Sequence, residues 1–123
     1  MPKILVADDE EELLELIRFS LDANGFEVVT ANDGQKALDL ARRGVYDLVI
    51  LDVMMPRLDG YHVCNEISQD PKSPPVLLLT SRDFAQDQSA IKGSGATAYL
   101  AKPFEIAELL EVAKDLSSKK GKE

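Results

Sequence analysis

Asp47-Leu48-Val49-Ile50-Leu51-Asp52-Val53-Met54-Met55-Pro56 is the stretch that decides how the rest of the chain is read. Leu48–Leu51 is apolar without alternation, of strand length, and flanked by Asp47 and Asp52. That pattern suits a strand covered on both faces, as in a parallel sheet. Val76-Leu77-Leu78-Leu79 repeats it. Further runs stand at Ile4–Ala7, Phe26–Ala31 and Ala98–Ala101, so strand-like segments recur at intervals of 20 to 30 residues. Glu27, Thr30 and Tyr99 interrupt two of these runs, which therefore read as edge strands.

Helical patterns fill the gaps. Glu11–Ala23 places Leu13, Leu14, Ile17 and Leu21 at three-to-four spacing and stops at Asn24-Gly25, a C-terminal cap pair. Gln35–Arg43 gathers Ala37, Leu38 and Ala41 and stops at Gly44, and Gly60–Ser68 gathers Val63, Cys64 and Ile67. Phe84–Lys92 is the thinnest stripe, with Phe84, Gln88 and Ile91 before Gly93-Ser94-Gly95. Glu105–Leu116 carries Ile106, Leu109, Leu110, Ala113 and Leu116. Ser117 to Glu123 is polar and Lys-rich and reads as a frayed tail. Five strand–helix alternations predict one α/β domain over residues 1–118: a doubly wound parallel sheet with right-handed crossovers and helices on both faces. Residues 119–123 are expected to be a disordered tail or the stump of a linker.

Composition narrows the function. The 123 residues hold 22 acidic and 14 basic side chains, a formal charge of −8 and a pI near 4.6. A nucleic-acid grip needs a basic face, so direct nucleic-acid binding is not expected, and neither is an anionic membrane surface. One cysteine, Cys64, permits no internal disulfide, and one histidine, His62, argues against imidazole metal sites and a Ser-His-Asp triad. No run reaches the roughly 20 apolar residues of a membrane span, and Met1-Pro2-Lys3-Ile4-Leu5 shows no secretory signal. A cytoplasmic location is the expectation. His62 and Cys64 read as structural, and Glu10-Glu11-Glu12 as a solvated helix start favoured by the helix dipole.

In an open α/β sheet the site lies beyond the carboxyl ends of the strands. Those ends are Asp8-Asp9, Asp52, Thr80-Ser81 and Lys102-Pro103. Clustered carboxylates repel one another, and a hard divalent cation relieves this. Oxygen donors without thiolate or imidazole suit Mg²⁺. A carboxylate can also act as a nucleophile toward phosphorus, and the transfer needs its oxygens neutralised by metal, cation or hydrogen-bond donors. Lys102 and Thr80 are placed to serve. The first strand-to-helix turn is acidic and not Gly-rich, so it would repel a nucleotide phosphate.

With these motifs in register the chain resembles the receiver domains of two-component response regulators. The resemblance rests on Ile4-Leu5-Val6-Ala7-Asp8-Asp9-Glu10, Asp47 to Pro56 with Asp59-Gly60, Leu79-Thr80-Ser81, and Tyr99-Leu100-Ala101-Lys102-Pro103-Phe104, and it runs from Lys3 to about Leu116. It implies the flavodoxin-like strand order 2-1-3-4-5. It implies Asp52 as phosphoacceptor, Asp9 as the direct acidic Mg²⁺ ligand, Asp8 acting through metal-bound water, and the Met54 carbonyl as a further ligand. Thr80 would be the switch hydroxyl, Lys102 its cationic partner, Tyr99 the aromatic that turns inward, and Lys102-Pro103 a cis peptide.

The implied function is a phosphorylation-activated switch. It would take a phosphoryl group from a sensor histidine kinase or phosphotransfer protein and lose it slowly to water. The regulated face would be formed by the fourth helix, fifth strand and fifth helix, acting on a downstream protein or output domain, with weak homodimer formation through the same face allowed. A stand-alone regulator and a receiver cut from a longer protein both fit. Ser81 after Thr80, Thr97-Ala98 before Tyr99, and the apolar-poor fourth helix depart from the commonest pattern. An aspartyl-phosphate phosphatase is the alternative, disfavoured because Met54 stands where such enzymes carry a second Asp. A flavin or nucleotide carrier would need a hydroxyl- or Gly-rich first loop in place of Asp8-Asp9-Glu10.

Overall fold

The computed structural model describes residues 1–81 and 88–120. Among the described residues ten elements alternate: β1 (Lys3–Ala7), α1 (Glu11–Ala23), β2 (Glu27–Ala31), α2 (Gly34–Arg43), β3 (Leu48–Asp52), α3 (Gly60–Ser68), β4 (Val76–Ser81), α4 (Gln88–Gly93), β5 (Ala98–Lys102) and α5 (Ile106–Lys120). The five strands form one parallel sheet in the order β2-β1-β3-β4-β5.

The two unalternating runs lie inside the sheet. Every residue of β3 is buried, and so is β4 through Thr80. The mixed runs β2 and β5 are the edges, as Glu27 and Tyr99 predict. Side chains that alternate along the strands feed two separate cores. Ile4, Val6, Leu48, Ile50, Leu77 and Leu79 pack with Leu14, Ile17 and Leu21 of α1 and Leu109, Ala113 and Leu116 of α5. Leu5, Ala7, Val49, Leu51 and Leu78 pack on the other face with Ala37 and Leu38 of α2 and Val63, Cys64 and Ile67 of α3. Burying a Leu or Ile side chain contributes roughly 2 kcal/mol, so these two layers supply most of the driving force.

Helix starts follow local chemistry. Asp33 caps α2 by accepting from Lys36 N at 2.8 Å, and Asp59 caps α3 by accepting from His62 N at 2.8 Å. At α1 the N-cap residue is Glu10, which makes no side-chain cap bond of its own. Asp8 takes part instead, accepting from Glu10 N at 2.9 Å.

One expected boundary moves. α5 continues to Lys120, so the run read as a frayed tail is helical from Ser117 to Lys120. The reason is that Ser117 extends the buried stripe at 6 % exposure, with its hydroxyl donating to Lys114 O. Residues 121–123 of the expected tail lie outside the described residues. The fourth helix begins within the described residues at Gln88, and residues 84–87 of its expected span lie outside them; its anchor Ile91 is buried. Among the described residues no helix is long and apolar enough to cross a membrane.

Candidate functional site

Strand register builds the site. Ala7 of β1 pairs with Leu51 of β3, so the next residues, Asp8 just past β1 and Asp52 at the end of β3, stand side by side. Asp52 pairs with Leu79 of β4, which puts Thr80 one step further out, and Thr80 pairs with Ala101, one residue before Lys102. Adjacent strands are about 4.8 Å apart. Two carboxylates, a hydroxyl and an ammonium are thereby gathered on one edge of a sheet whose interior is apolar.

The edge is held from behind by the loop after β3. Gly60 N donates to Val53 O at 2.9 Å, and Val53 N donates to Leu79 O at 3.0 Å. A Cβ at Gly60 would run into the Asp52 carbonyl oxygen and Val53 Cα. The N-terminus of α3 can approach the end of β3 this closely only because residue 60 has no side chain.

Lys102 is the centre of the electrostatics. Its Nζ lies 3.1 Å from Asp8 Oδ2, 3.3 Å from Glu10 Oε1 and 3.3 Å from Asp52 Oδ1. An ammonium has three donors, and each finds a different carboxylate. The Asp8 side chain is fully buried, that of Asp52 is 5 % exposed, and that of Glu10 is 65 % exposed. Burial pushes the Asp52 carboxyl up to about 6, and the Asp8 charge pushes the same way. Lys102 and the Met54 backbone N–H pull against this without cancelling it. Burial also works to depress Lys102, but the facing carboxylates Asp52 and Asp8 outweigh it and hold the ammonium above its ordinary value.

One hydroxyl is left over. Thr80 Oγ1 is buried and has no hydrogen-bond partner among the described residues. A buried orphan of this kind costs about 1–3 kcal/mol, so its persistence beside Asp52 is informative. Tyr99, on the edge strand β5, is 40 % exposed. The Met54 side chain is exposed too, and the bond from Lys102 to Pro103 is cis.

The expected residues thus separate into two groups. Asp8 and Asp52 both contact Lys102, with Thr80 in register beside them. Asp9 is exposed, and it is Glu10 whose carboxylate oxygen lies within 4.8 Å of those of Asp8 and Asp52. The sequence reads Glu10 as part of a solvated helix start. It is solvated, but its side chain also reaches Lys102 from the N-cap of α1. The signal that points to it is its place two residues after Asp8, at the turn where strand passes into helix.

The donor set fits a hard divalent cation. One ammonium faces three carboxylates, two of them buried, and among the described residues no softer ligand is grouped with them. Asp52 offers an oxygen nucleophile beside a cation, with an unpartnered hydroxyl donor in the neighbouring strand. That is the equipment of phosphoryl transfer to a carboxylate.

Comparison with known proteins places the chain in a family. The family model for the response regulator receiver domain matches residues 4–114. The response regulator MprA of Mycolicibacterium vanbaalenii is 46 % identical over 108 residues, covering 88 % of this chain and 47 % of that protein. The chain therefore spans about half the length of such relatives. Among solved structures, the receiver domain of Francisella response regulator 1452 superimposes with a TM-score of 0.88 at 35 % identity, covering 97 % of this chain and 98 % of that one. The response regulator TrrA of Thermotoga maritima, solved in complex with Mg²⁺ and BeF, superimposes with a TM-score of 0.85 at 38 % identity, covering 94 % and 99 %.

Proposed function

The chain belongs to the response regulator receiver domain family, and on that premise we propose that it is a switch thrown by phosphorylation of Asp52. The observation that carries the reading is the convergence of Asp8, Asp52 and Lys102, with the orphan hydroxyl of Thr80 beside them.

A phosphohistidine on a sensor kinase or phosphotransfer protein is the donor. Asp52 Oδ attacks phosphorus as the N–P bond breaks, and the ring, already protonated at its other nitrogen, leaves as neutral imidazole with the N–P electron pair. Because the Asp52 carboxyl sits near 6, it is largely ionised at neutral pH and competent as nucleophile. Asp8, Asp9, Asp52 and the carbonyl of Met54 would hold Mg²⁺, which when bound supplies charge neutralisation at the phosphoryl oxygens. Lys102 adds a second positive charge from the β5 side. Water later cleaves the acyl phosphate and returns the carboxylate, so the module turns itself off without acting on a separate substrate.

Thr80 Oγ1 gains in the phosphorylated state the acceptor it now lacks. Its inward movement opens space that the Tyr99 ring, amphipathic and now half-exposed, can enter. The face made by α4, β5 and α5 then differs between the two states, and a downstream protein or output domain reads that difference. Weak pairing of two copies through the same face is a further use of it. An acidic chain of this kind contacts proteins and not nucleic acid directly, and a cytoplasmic setting suits its partners.

The test is incubation with Mg²⁺ and acetyl phosphate followed by intact-mass analysis. Gain of one phosphoryl group, abolished by Asp52→Asn and by a Mg²⁺ chelator, is expected. A stable phosphate on Thr80, Ser81 or His62 would overturn the acyl-phosphate reading.

A further inference from the structure

Glu10 makes two contacts that tie the lysine and the buried carboxylate together. Its backbone N–H donates to Asp8 Oδ1 at 2.9 Å, and its carboxylate takes the Lys102 ammonium at 3.3 Å. The ammonium also occupies Asp8 Oδ2 at 3.1 Å and Asp52 Oδ1 at 3.3 Å. A divalent cation held at the Asp8 and Asp52 carboxylates would compete for them and repel the ammonium that now uses them. Lys102 would then have to surrender acceptors while its side chain is only 20 % exposed, and a part-buried ammonium without acceptors is costly. Glu10 is the one acceptor of the three that stands at the rim, at 65 % exposure. On that side Glu10 and Lys102 line an open groove with Leu13, Leu16 and Phe104, so there is room for the ammonium to shift outward.

We propose that Glu10 is a positioning residue for metal uptake: it receives the Lys102 ammonium when a divalent cation takes Asp8 and Asp52. Glu10 acts through the lysine and not as a ligand. The inference rests on the Mg²⁺ reading above. It gives Lys102 two stations, one among the buried carboxylates and one at the rim, and it makes the affinity for the cation depend on the second.

The test is a double-mutant cycle on Mg²⁺ affinity, read by titration calorimetry at low ionic strength without any phosphodonor. The proteins are wild type, Glu10→Gln, Lys102→Met and the double variant, with Glu10→Asp as rescue and Lys102→Gln as a second lysine variant should Lys102→Met melt early. Glu10→Gln should weaken Mg²⁺ about fivefold, the scale of a part-exposed ion pair at low salt. Glu10→Asp should recover part of this. In the Lys102→Met or Lys102→Gln background the same Glu10→Gln change should cost less than about twofold, because the partner it acts through is gone. Equal losses in both backgrounds, or a larger one without the lysine, would show that Glu10 bears on the cation directly and overturn the proposal. So would an unchanged affinity in Glu10→Gln alone. If wild type takes up no Mg²⁺, the metal reading itself fails and this inference falls with it.

Discussion

Replacing Asp52 by Asn should stabilise the metal-free protein, although it removes one member of an ion pair. The Asp52 carboxyl lies at about 6 in the folded chain against an ordinary value of 3.8. Its folded pKa is raised, so the ionised form is the destabilised one. The cost is fully present above about pH 6 and is relieved as pH falls from 6 toward 3.8, where the folded state binds a proton that the unfolded state does not. A shift of about two units corresponds to roughly 3 kcal/mol at pH 7.5. Asn is close in shape to the neutral acid and does not carry that cost. Lys102 keeps Asp8 and Glu10 after the change, so no buried ammonium is stranded. For a chain of this length 1 kcal/mol is about 4 °C in Tm, so the upper limit of the gain is roughly 12 °C and half of it is still easy to measure. The assay is thermal unfolding of both proteins in chelator between about pH 7.5 and about pH 4.5, which brackets the folded value. The gap should be widest at the alkaline end, narrow steadily on acidification, and shrink at the alkaline end when millimolar Mg²⁺ is added, since only the wild type has the full carboxylate set to hold it. An Asp52→Asn protein that melts at or below wild type at the alkaline end, or a gap indifferent to pH, would refute the claim that Asp52 is an over-crowded buried carboxylate.

Thr80→Val should stabilise the unphosphorylated protein by about 1 kcal/mol, because it exchanges an orphan buried hydroxyl for a methyl of similar shape in a strand interior; chemical denaturation measures it. The same variant should still take phosphate at Asp52 but move the Tyr99 resonances little on addition of beryllofluoride, where wild type moves them strongly. Gly60→Ala should cost about 2–3 kcal/mol and perturb the Asp52 backbone amide in NMR spectra, since its methyl would meet the Asp52 carbonyl. Mg²⁺ affinity should fall as pH drops through about 6, because protons then compete for Asp52, and calorimetric titrations on either side of that value check it.

Reading the fold from the chain succeeds where one signal suffices. The bounds of α1, Glu11–Ala23, and of α3, Gly60–Ser68, match the apolar stripes read from the chain, the first ended by Asn24-Gly25 and the second carried by Val63, Cys64 and Ile67. Leu48–Leu51 and Val76–Leu79 lack alternation and are interior strands. Both in fact run further, to Asp52 and Ser81, because the backbone ladder continues into polar residues whose side chains belong to the site. Polarity alone cannot distinguish a strand end from a functional strand end. The C-terminus of α5 escapes for a related reason: Ser117 is polar by type yet occupies the next buried position after Ala113 and Leu116. Asp8, Asp52 and Lys102 are legible because register is a property of the strands. Glu10 is not, since its role depends on how far a side chain at a helix N-cap can reach toward β5. The orphan state of Thr80 is not legible either, since it depends on which donors and acceptors fail to arrive.

The two costs in this site have the same origin. A carboxyl raised to about 6 and a buried hydroxyl without a partner are each unfavourable in the resting protein. Native proteins keep a net stability of only about 5–15 kcal/mol, so a few kcal/mol held in one corner is a large share. Both costs would be relieved by the same event. A cation and a phosphoryl group arriving together would neutralise the carboxylates and give the hydroxyl an acceptor. A ligand shifts a two-state element only by its differential interaction with the two states. Groups already satisfied at rest would have little left to gain from phosphorylation. On the proposed reading, the unsatisfied hydroxyl and crowded carboxylates are a free-energy source that phosphorylation of Asp52 would draw on to bias the α4–β5–α5 face. Thr80→Val and Asp52→Asn, which should each stabilise the resting fold, should each also shrink that bias.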